Sequence, residues 1–376
     1  MKKFISLLLV VLLLFSLAAC GETTNQSTKD SATSVNMKVA MITDYADIND
    51  QSFNQATYEG CKAFCDEAGC LLKYYKPSTN SDEDRIAMID SAIEDGFNVI
   101  VCPGYGFVPA LKKTVSTYPD IKFIALDVGT DALGEDYKIP DNLYCAIYQQ
   151  ELSGYMAGYA AVRLGYKKFG FLGGLAVPGV VSYGYGYIQG IDAAAKEYDI
   201  DDISVKFAYA NQFFGDSDIT DVMNTWYDDG TEVVFACGST IYTSVCESAA
   251  TVKGKVIGVD VDQKQVIDGQ YGEGMTLTSA MKGLAASVKS ELNNIKDGKF
   301  QGGIIESLGI ISEEPDKNYV LIPMESTQFG DGFTQDDYKA LVADIYNGKI
   351  KVDNSIDAKV TSLVSKINVE DLGNIK

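Results

Sequence analysis

The sequence predicts an α/β protein with two lobes, each a doubly wound, mainly parallel sheet with flanking helices. Three observations carry that expectation. Short β-rich apolar runs alternate with longer amphipathic stretches, the alternation runs through twice, and 376 residues are too many for one simple core. The first series opens with KVAMIT (38–43), followed by a helical pattern at 51–68. LLKYY (71–75) precedes a helix at 82–95, NVIVC (98–102) precedes one at 108–116, and KFIALD (122–127) follows. The second series begins after LYCAIY (143–148), with a helix at 150–163 and the strand KFGFLG (168–173). A helix at 182–198, ISVKFAY, a helix at 218–229, EVVFAC, a helix at 240–252 and KVIGVD complete it. Beyond MTLTS (275–279) lie a helix at 282–296, the strand YVLIP and a helix at 334–346. These are too few for a third domain and are expected to return to the first two.

Composition removes several function classes. Lys plus Arg total 31 against 52 Asp plus Glu, a formal charge of −21, so a phosphate backbone would be repelled and no nucleic-acid partner is expected. The chain has no histidine, which excludes Ser-His-Asp and Cys-His nucleophile pairs, His-ligated zinc or haem, and a histidine general base. With 46% hydrophobic and 22% charged residues, the chain has the composition of an ordinary folded protein.

Residues 1–20, MKKFISLLLVVLLLFSLAAC, place two lysines ahead of a short apolar run and two alanines before Cys20, the layout of a secretory signal peptide. The run is short for a bilayer span. Its Leu-Ala-Ala-Cys ending resembles the lipobox of bacterial lipoproteins, which implies that Cys20 carries the acyl anchor and that the polar stretch at 21–36 is a tether. The seven remaining cysteines cannot all pair within one chain. Cys61, Cys65 and Cys70 lie close together, but without histidine or a C-x-x-C pair they read as buried thiols rather than as a metal site.

Ligands of parallel α/β sheets bind outside the carboxyl ends of the strands, so the residues there are the candidate site. In the first half these are Asp44, then Pro103 to Gly106, then Asp127. In the second they are Gly173 and Gly174, Tyr209 with Phe213 and Phe214, Gly238 and Asp260. Carboxylates accept paired hydroxyl donors such as a ribose diol, and aromatic faces stack on flat rings; together they favour a sugar-bearing heterocycle over an ion or a peptide. Beside Gly258, the Asp260 carboxylate is expected to face the cleft with both oxygens free. Each item also has a plainer reading: a strand-end Asp can be the cap of the next helix, and Phe53, Phe213 and Phe214 can be core. Gly104 and Gly106 form a G-x-G with no third glycine at the dinucleotide spacing, and neither a P-loop nor a G-x-S-x-G is present.

The segment TDYADINDQSFNQATYEG (43–60) resembles the opening signature of the basic membrane protein family of solute-binding lipoproteins, which includes the purine nucleoside receptors of ABC importers. GFLGGLAVPGVVSYGYGYIQG (170–190), GVDVDQ (258–263) and LTSAMK (277–282) resemble later motifs of that family in the same order. The resemblance implies a two-lobed, type I periplasmic-binding-protein fold closing on a nucleoside. Its lobes would be 37–148 plus 279–312 and 149–278 plus 313–376. Phe53 and either Phe213 or Phe214 would sandwich the base, and Asp127 would bond its edge. Asp44, Asp260 and Lys282 would hold the ribose hydroxyls or the base edge, and Gly238 would line the cleft. The implied partners are an ABC permease with its ATPase and the cell membrane, with no cofactor, no metal and a monomeric chain. The sequence departs from the family at Tyr45, at Ser182–Tyr183 and in CGSTIYTSV (237–245), which together make a bulkier, more hydroxylated cleft.

Two other readings remain open. The same cleft could serve a sensory receptor that signals through a partner. A nucleoside hydrolase would need clustered carboxylates around a metal, a pattern that Asp44, Asp47 and Asp50 approach.

Overall fold

Two sheets with the same winding order organise residues 36–376, the part of the chain that the computed structural model describes. The expected signal peptide, Cys20 and the tether as far as residue 35 lie outside the described residues. The first half runs β1 (Lys38–Ile42), α1 (Phe53–Ala68), β2 (Leu71–Tyr75), α2 (Asp82–Glu94), β3 (Val99–Pro103), α3 (Val108–Thr114), β4 (Lys122–Leu126), α4 (Thr130–Leu133) and β5 (Leu143–Tyr148). The second runs α5 (Gln150–Arg163), β6 (Lys168–Gly173), α6 (Pro178–Glu197), β7 (Ser204–Tyr209), α7 (Ser217–Asp228), β8 (Val233–Cys237), α8 (Tyr242–Val252), β9 (Lys255–Asp260), α9 (Lys264–Tyr271) and β10 (Thr276–Lys282). The chain then returns through α10 (Leu284–Lys296), β11 (Ile304–Leu308), β12 (Val320–Leu321), α11 (Gln335–Tyr346) and β13 (Asn368–Asn374).

The first sheet is ordered β11-β5-β4-β3-β1-β2 and is parallel throughout. The second is ordered β12-β10-β9-β8-β6-β7-β13, and only the β10–β12 pair is antiparallel. The orders 2-1-3-4-5 and 7-6-8-9-10 are the same motif used twice, each with its switch point between the first and third strands of the repeat. Central strands such as β3 and β8 are buried at every residue, as continuous apolar runs covered by helices on both faces must be.

Several boundaries differ from the sequence expectation for local reasons. Helix α1 begins at Phe53 rather than 51, because the Asp50 carboxylate accepts the backbone N–H groups of Ser52, Asn54 and Gln55 and holds residues 51–52 in a turn. Helix α6 begins earlier than expected, at Pro178, since a proline without an N–H is suited to the first turn. Strand β10 stays in the second sheet as far as Lys282, so the chain crosses to the first sheet at Gly283 rather than at 278/279. Helix α9 and the edge strands β11 and β13 had no clear signature; β11 is largely exposed, and β13 is largely exposed and polar.

Helices α5 and α6 pack through glycines on both sides. A Cβ at Gly154 or Gly158 would fall 2.3 or 2.2 Å from the Tyr183 or Tyr187 carbonyl oxygen, and one at Gly186 would fall 1.9 Å from that of Glu151. The two helices therefore approach to backbone contact and fix the floor on which α6 presents its first turn to the cleft. Six of the seven described cysteines are buried, and Cys70 is half-buried. Among the described residues no helix is long and apolar enough to cross a membrane.

Candidate functional site

All eight residues expected at the cleft, Asp44, Phe53, Asp127, Phe213, Phe214, Gly238, Asp260 and Lys282, line one cavity of about 450 Å³ between the carboxyl ends of the two sheets. That volume falls within the range of small-molecule sites. The repeat explains the convergence. Asp127 follows β4 and Asp260 ends β9, equivalent strands of the two halves, and both take left-handed backbone conformations, with φ of 53° and 64°. Asp tolerates that region better than most residues. Gly104 and Gly238 follow the equivalent strands β3 and β8 with φ of 109° and 148°, where a side chain would be strained.

The helix-cap reading fails for all three strand-end carboxylates. Ser52 is the cap residue of α1, Gly129 of α4 and Gln263 of α9. Asp44 instead accepts on Oδ1 from the backbone N–H of Ala46 (2.8 Å) and from Asn54 Nδ2 (3.0 Å), and its Oδ2 has no partner among the described residues. Asp127 is deeper. Its Oδ2 receives Lys282 Nζ at 2.5 Å, while its Oδ1 is buried without a hydrogen-bond partner among the described residues.

Lys282 ends β10 in the second lobe and reaches both carboxylates, Asp127 in the first lobe and Asp260 at 3.5 Å in its own. Burial alone would favour loss of the lysine proton, but Asp127 and Asp260 hold its pKa above the ordinary value, so the ammonium persists. Burial pushes the Asp127 carboxyl up, against the opposing pull of Lys282. The ammonium also lies 4.6 Å from the centroid of the Phe53 ring.

The expectation that Asp260 has both oxygens free is corrected by this geometry. Ser52 Oγ, at the head of α1 in the other lobe, donates to Asp260 Oδ2 at 2.6 Å, and Tyr183 Oη donates to Oδ1 at 3.4 Å. Next to it, Gln263 Nε2 donates to the Gln51 carbonyl at 3.0 Å. With Asp127–Lys282, these make three polar contacts from lobe to lobe around the cavity. Phe213 lies against Gly174 and Gly238, where a Cβ would come within 2.3 and 2.8 Å of its ring, so the second lobe seats this aromatic only because both positions are glycine. Phe214 is 49% exposed, at the rim.

The acidic run near the N-terminus does not assemble a metal site. Asp47 pairs with Lys76, and Asp50 spends its oxygens on the start of α1. Among the described residues no group of three or more Cys, Asp or Glu side chains is placed to hold a metal ion.

Sequence reasoning missed Arg85 and Asn80, which also line the cavity. They follow β2, a strand end left out of the site search. A signal was available: Arg85 is one of two arginines among 31 basic residues.

Comparison with known proteins agrees with this architecture. Residues 37–361 match the Bmp family, described as ABC transporter substrate-binding protein PnrA-like. The ABC transporter nucleoside-binding protein BmpA of Lactococcus lactis subsp. cremoris is 28% identical over 288 residues, covering 72% of this chain and 78% of that protein. Basic membrane protein A2 of Borrelia garinii subsp. bavariensis is 28% identical, covering 80% and 85% respectively. An ABC transporter solute-binding protein from Aeropyrum pernix K1 shares the fold with a TM-score of 0.66 at 19% identity, over 87% of this chain and 90% of that one.

Proposed function

The chain belongs to the Bmp family of PnrA-like ABC transporter substrate-binding proteins, and on that premise we propose that it binds a purine nucleoside between its lobes and hands it to a permease and its ATPase. In this reading a lipid on Cys20 holds the protein at the extracytoplasmic face of the cell membrane, and the chain performs no chemistry of its own. The carrying observation is that Asp127, whose Oδ1 is buried and has no partner among the described residues, lines the same cavity as an aromatic ring from each lobe, Phe53 and Phe213. A buried acceptor left unpaired is costly, and a ligand hydroxyl or ring N–H would satisfy it.

The roles follow from the contacts. Phe53 and Phe213 take the base between them, and Phe214 covers the rim. Asp127 Oδ1 and Asp44 Oδ2 accept ligand donors. Lys282 keeps Asp127 ionised and oriented, and Gly238 leaves room for both the Phe213 ring and the ligand. Asp260 braces the closed lobes over the ribose through Ser52 and Lys282. The relative from Lactococcus lactis, named a nucleoside-binding protein, supports the ligand class.

Calorimetry of the purified protein against nucleosides, free bases and pentoses tests the reading. Nucleosides are expected to bind more tightly than either of their halves. Binding of a pentose or a free base with no detectable nucleoside binding would overturn it.

A further inference from the structure

The cavity contains six charged side chains, and one of them has no counterpart in the assignments above. Asp44, Asp50, Asp127 and Asp260 are the carboxylates, and Lys282 is committed to two of them. The remaining group, Arg85, projects from the first turn-and-a-half of α2 and is 4% exposed. A guanidinium carries five N–H donors and no acceptor. One Nη donates to Asn80 Oδ1, the other lies 3.4 Å from Asp82 Oδ1, and Nε is buried with no partner among the described residues. In a chain that uses lysine for nearly all of its positive charge, this arginine sits inside the ligand cleft with donors to spare.

Its place relative to the aromatic floor is set by the G-x-G turn after β3. A Cβ on Gly104 would lie 3.8 Å from Phe53 Cε1, and a Cβ on Gly106 would lie 3.0 Å from Arg85 Nη2 and 3.2 Å from Cζ. Phe53, Gly104, Gly106 and Arg85 all line the same cavity, so the guanidinium and the aromatic ring flank one short turn and face one ligand space. Gly104 has a φ of 109°, a conformation that favours glycine, and at Gly106 a side chain would press on the guanidinium.

We propose that Arg85 reads the edge of the base and makes this cleft select 6-oxopurine nucleosides over 6-aminopurine nucleosides. The assignment rests on the nucleoside reading and names the substrate class within it. A 6-oxopurine offers O6 and N7 as adjacent acceptors, which match the paired donors of a guanidinium. A 6-aminopurine turns a donor toward it at position 6. Arginine is suited to this planar, two-point recognition in a way that lysine is not.

Titration of the purified protein with inosine, guanosine, adenosine and inosine 5′-monophosphate tests the proposal. Inosine and guanosine are expected to bind about 10- to 100-fold more tightly than adenosine, the range for a good bidentate pair. In Arg85→Met, which keeps an unbranched apolar side chain but removes the donors, inosine is expected to weaken by that factor while adenosine does not weaken. Arg85→Lys is expected to retain the charge and lose most of the selectivity, and it serves if the methionine variant does not fold. Equal binding of inosine and adenosine by the wild type, or equal losses for both in either variant, overturns the assignment and leaves the nucleoside reading standing. Tighter binding of the monophosphate than of inosine would place Arg85 at the 5′ end and overturn the base-edge role. Binding of no nucleoside at all removes both readings together.

Discussion

Replacing Ser52 by alanine removes a single hydroxyl from the head of α1, and that hydroxyl makes a bond from one lobe to the other. Ser52 is fully buried, and its Oγ donates to Asp260 Oδ2 at 2.6 Å across 208 residues of sequence. A hydrogen bond to a charged acceptor contributes about 1.5–3 kcal/mol, and here the acceptor oxygen has no other donor among the described residues to replace it. In an open form water would solvate both groups, so the loss falls on the closed form alone and lowers the closed-to-open ratio by roughly 10- to 150-fold. Calorimetry with a nucleoside should therefore show Kd for Ser52→Ala raised by up to that factor, while the melting temperature of the ligand-free protein changes little. Small-angle scattering should show less contraction at a given ligand concentration. The effect should nearly vanish in an Asp260→Asn background, because the pair is coupled and not additive. A Ser52→Ala protein that binds within twofold of wild type, with Asp260→Asn still impaired, would refute the bracing role and return Asp260 to direct contact with the ligand.

Other consequences can be checked alongside. Phe53→Ala loses a stacking face worth about 0.5–1.5 kcal/mol and opens space beneath the ligand, so nucleoside affinity should fall roughly tenfold or more by calorimetry; unchanged affinity would make Phe53 core only. Burial raises the Asp127 carboxyl above the ordinary aspartate value of about 3.9, so affinity should hold at neutral pH and begin to fall on acidification earlier than an ordinary carboxylate would allow. The same proton removes a buried charge, so the melting temperature should not fall in step; a flat Kd profile down to pH 4 would count against the role of Asp127. Gly186→Ala drives a Cβ into the Glu151 carbonyl and should destabilise the protein by about 1–3 kcal/mol or more, read as a drop of several degrees in Tm. Cys20→Ala should leave the membrane fraction without the protein, which immunoblotting of fractions would show; a processed, still membrane-bound variant would argue against the lipid anchor.

The sequence by itself determined the central strands, their parallel winding and most of the short inventory of residues that converge. This follows from the physics of parallel sheets. Buried parallel strands must be continuous apolar runs, and their carboxyl ends all open on the same side. Residues as distant in sequence as Asp44 and Asp260 could therefore be listed as neighbours without coordinates, whereas Lys282 entered only through the family resemblance. Only the tertiary structure decided which of those groups are spent and which are free. Asp127 and Asp260 are alike in sequence, each at the end of an equivalent strand, yet one keeps an unpaired oxygen and the other is engaged by Ser52, Tyr183 and Lys282. That difference depends on how one lobe meets the other, which no local pattern encodes. Phe213 was separated from Phe214 in the same way, by two glycines that follow other strands and make room for its ring. Arg85 escaped notice because a basic residue in an acidic helix reads as solvated surface. Its burial arises from the turn after β3, where Gly106 lets the guanidinium lie against the backbone.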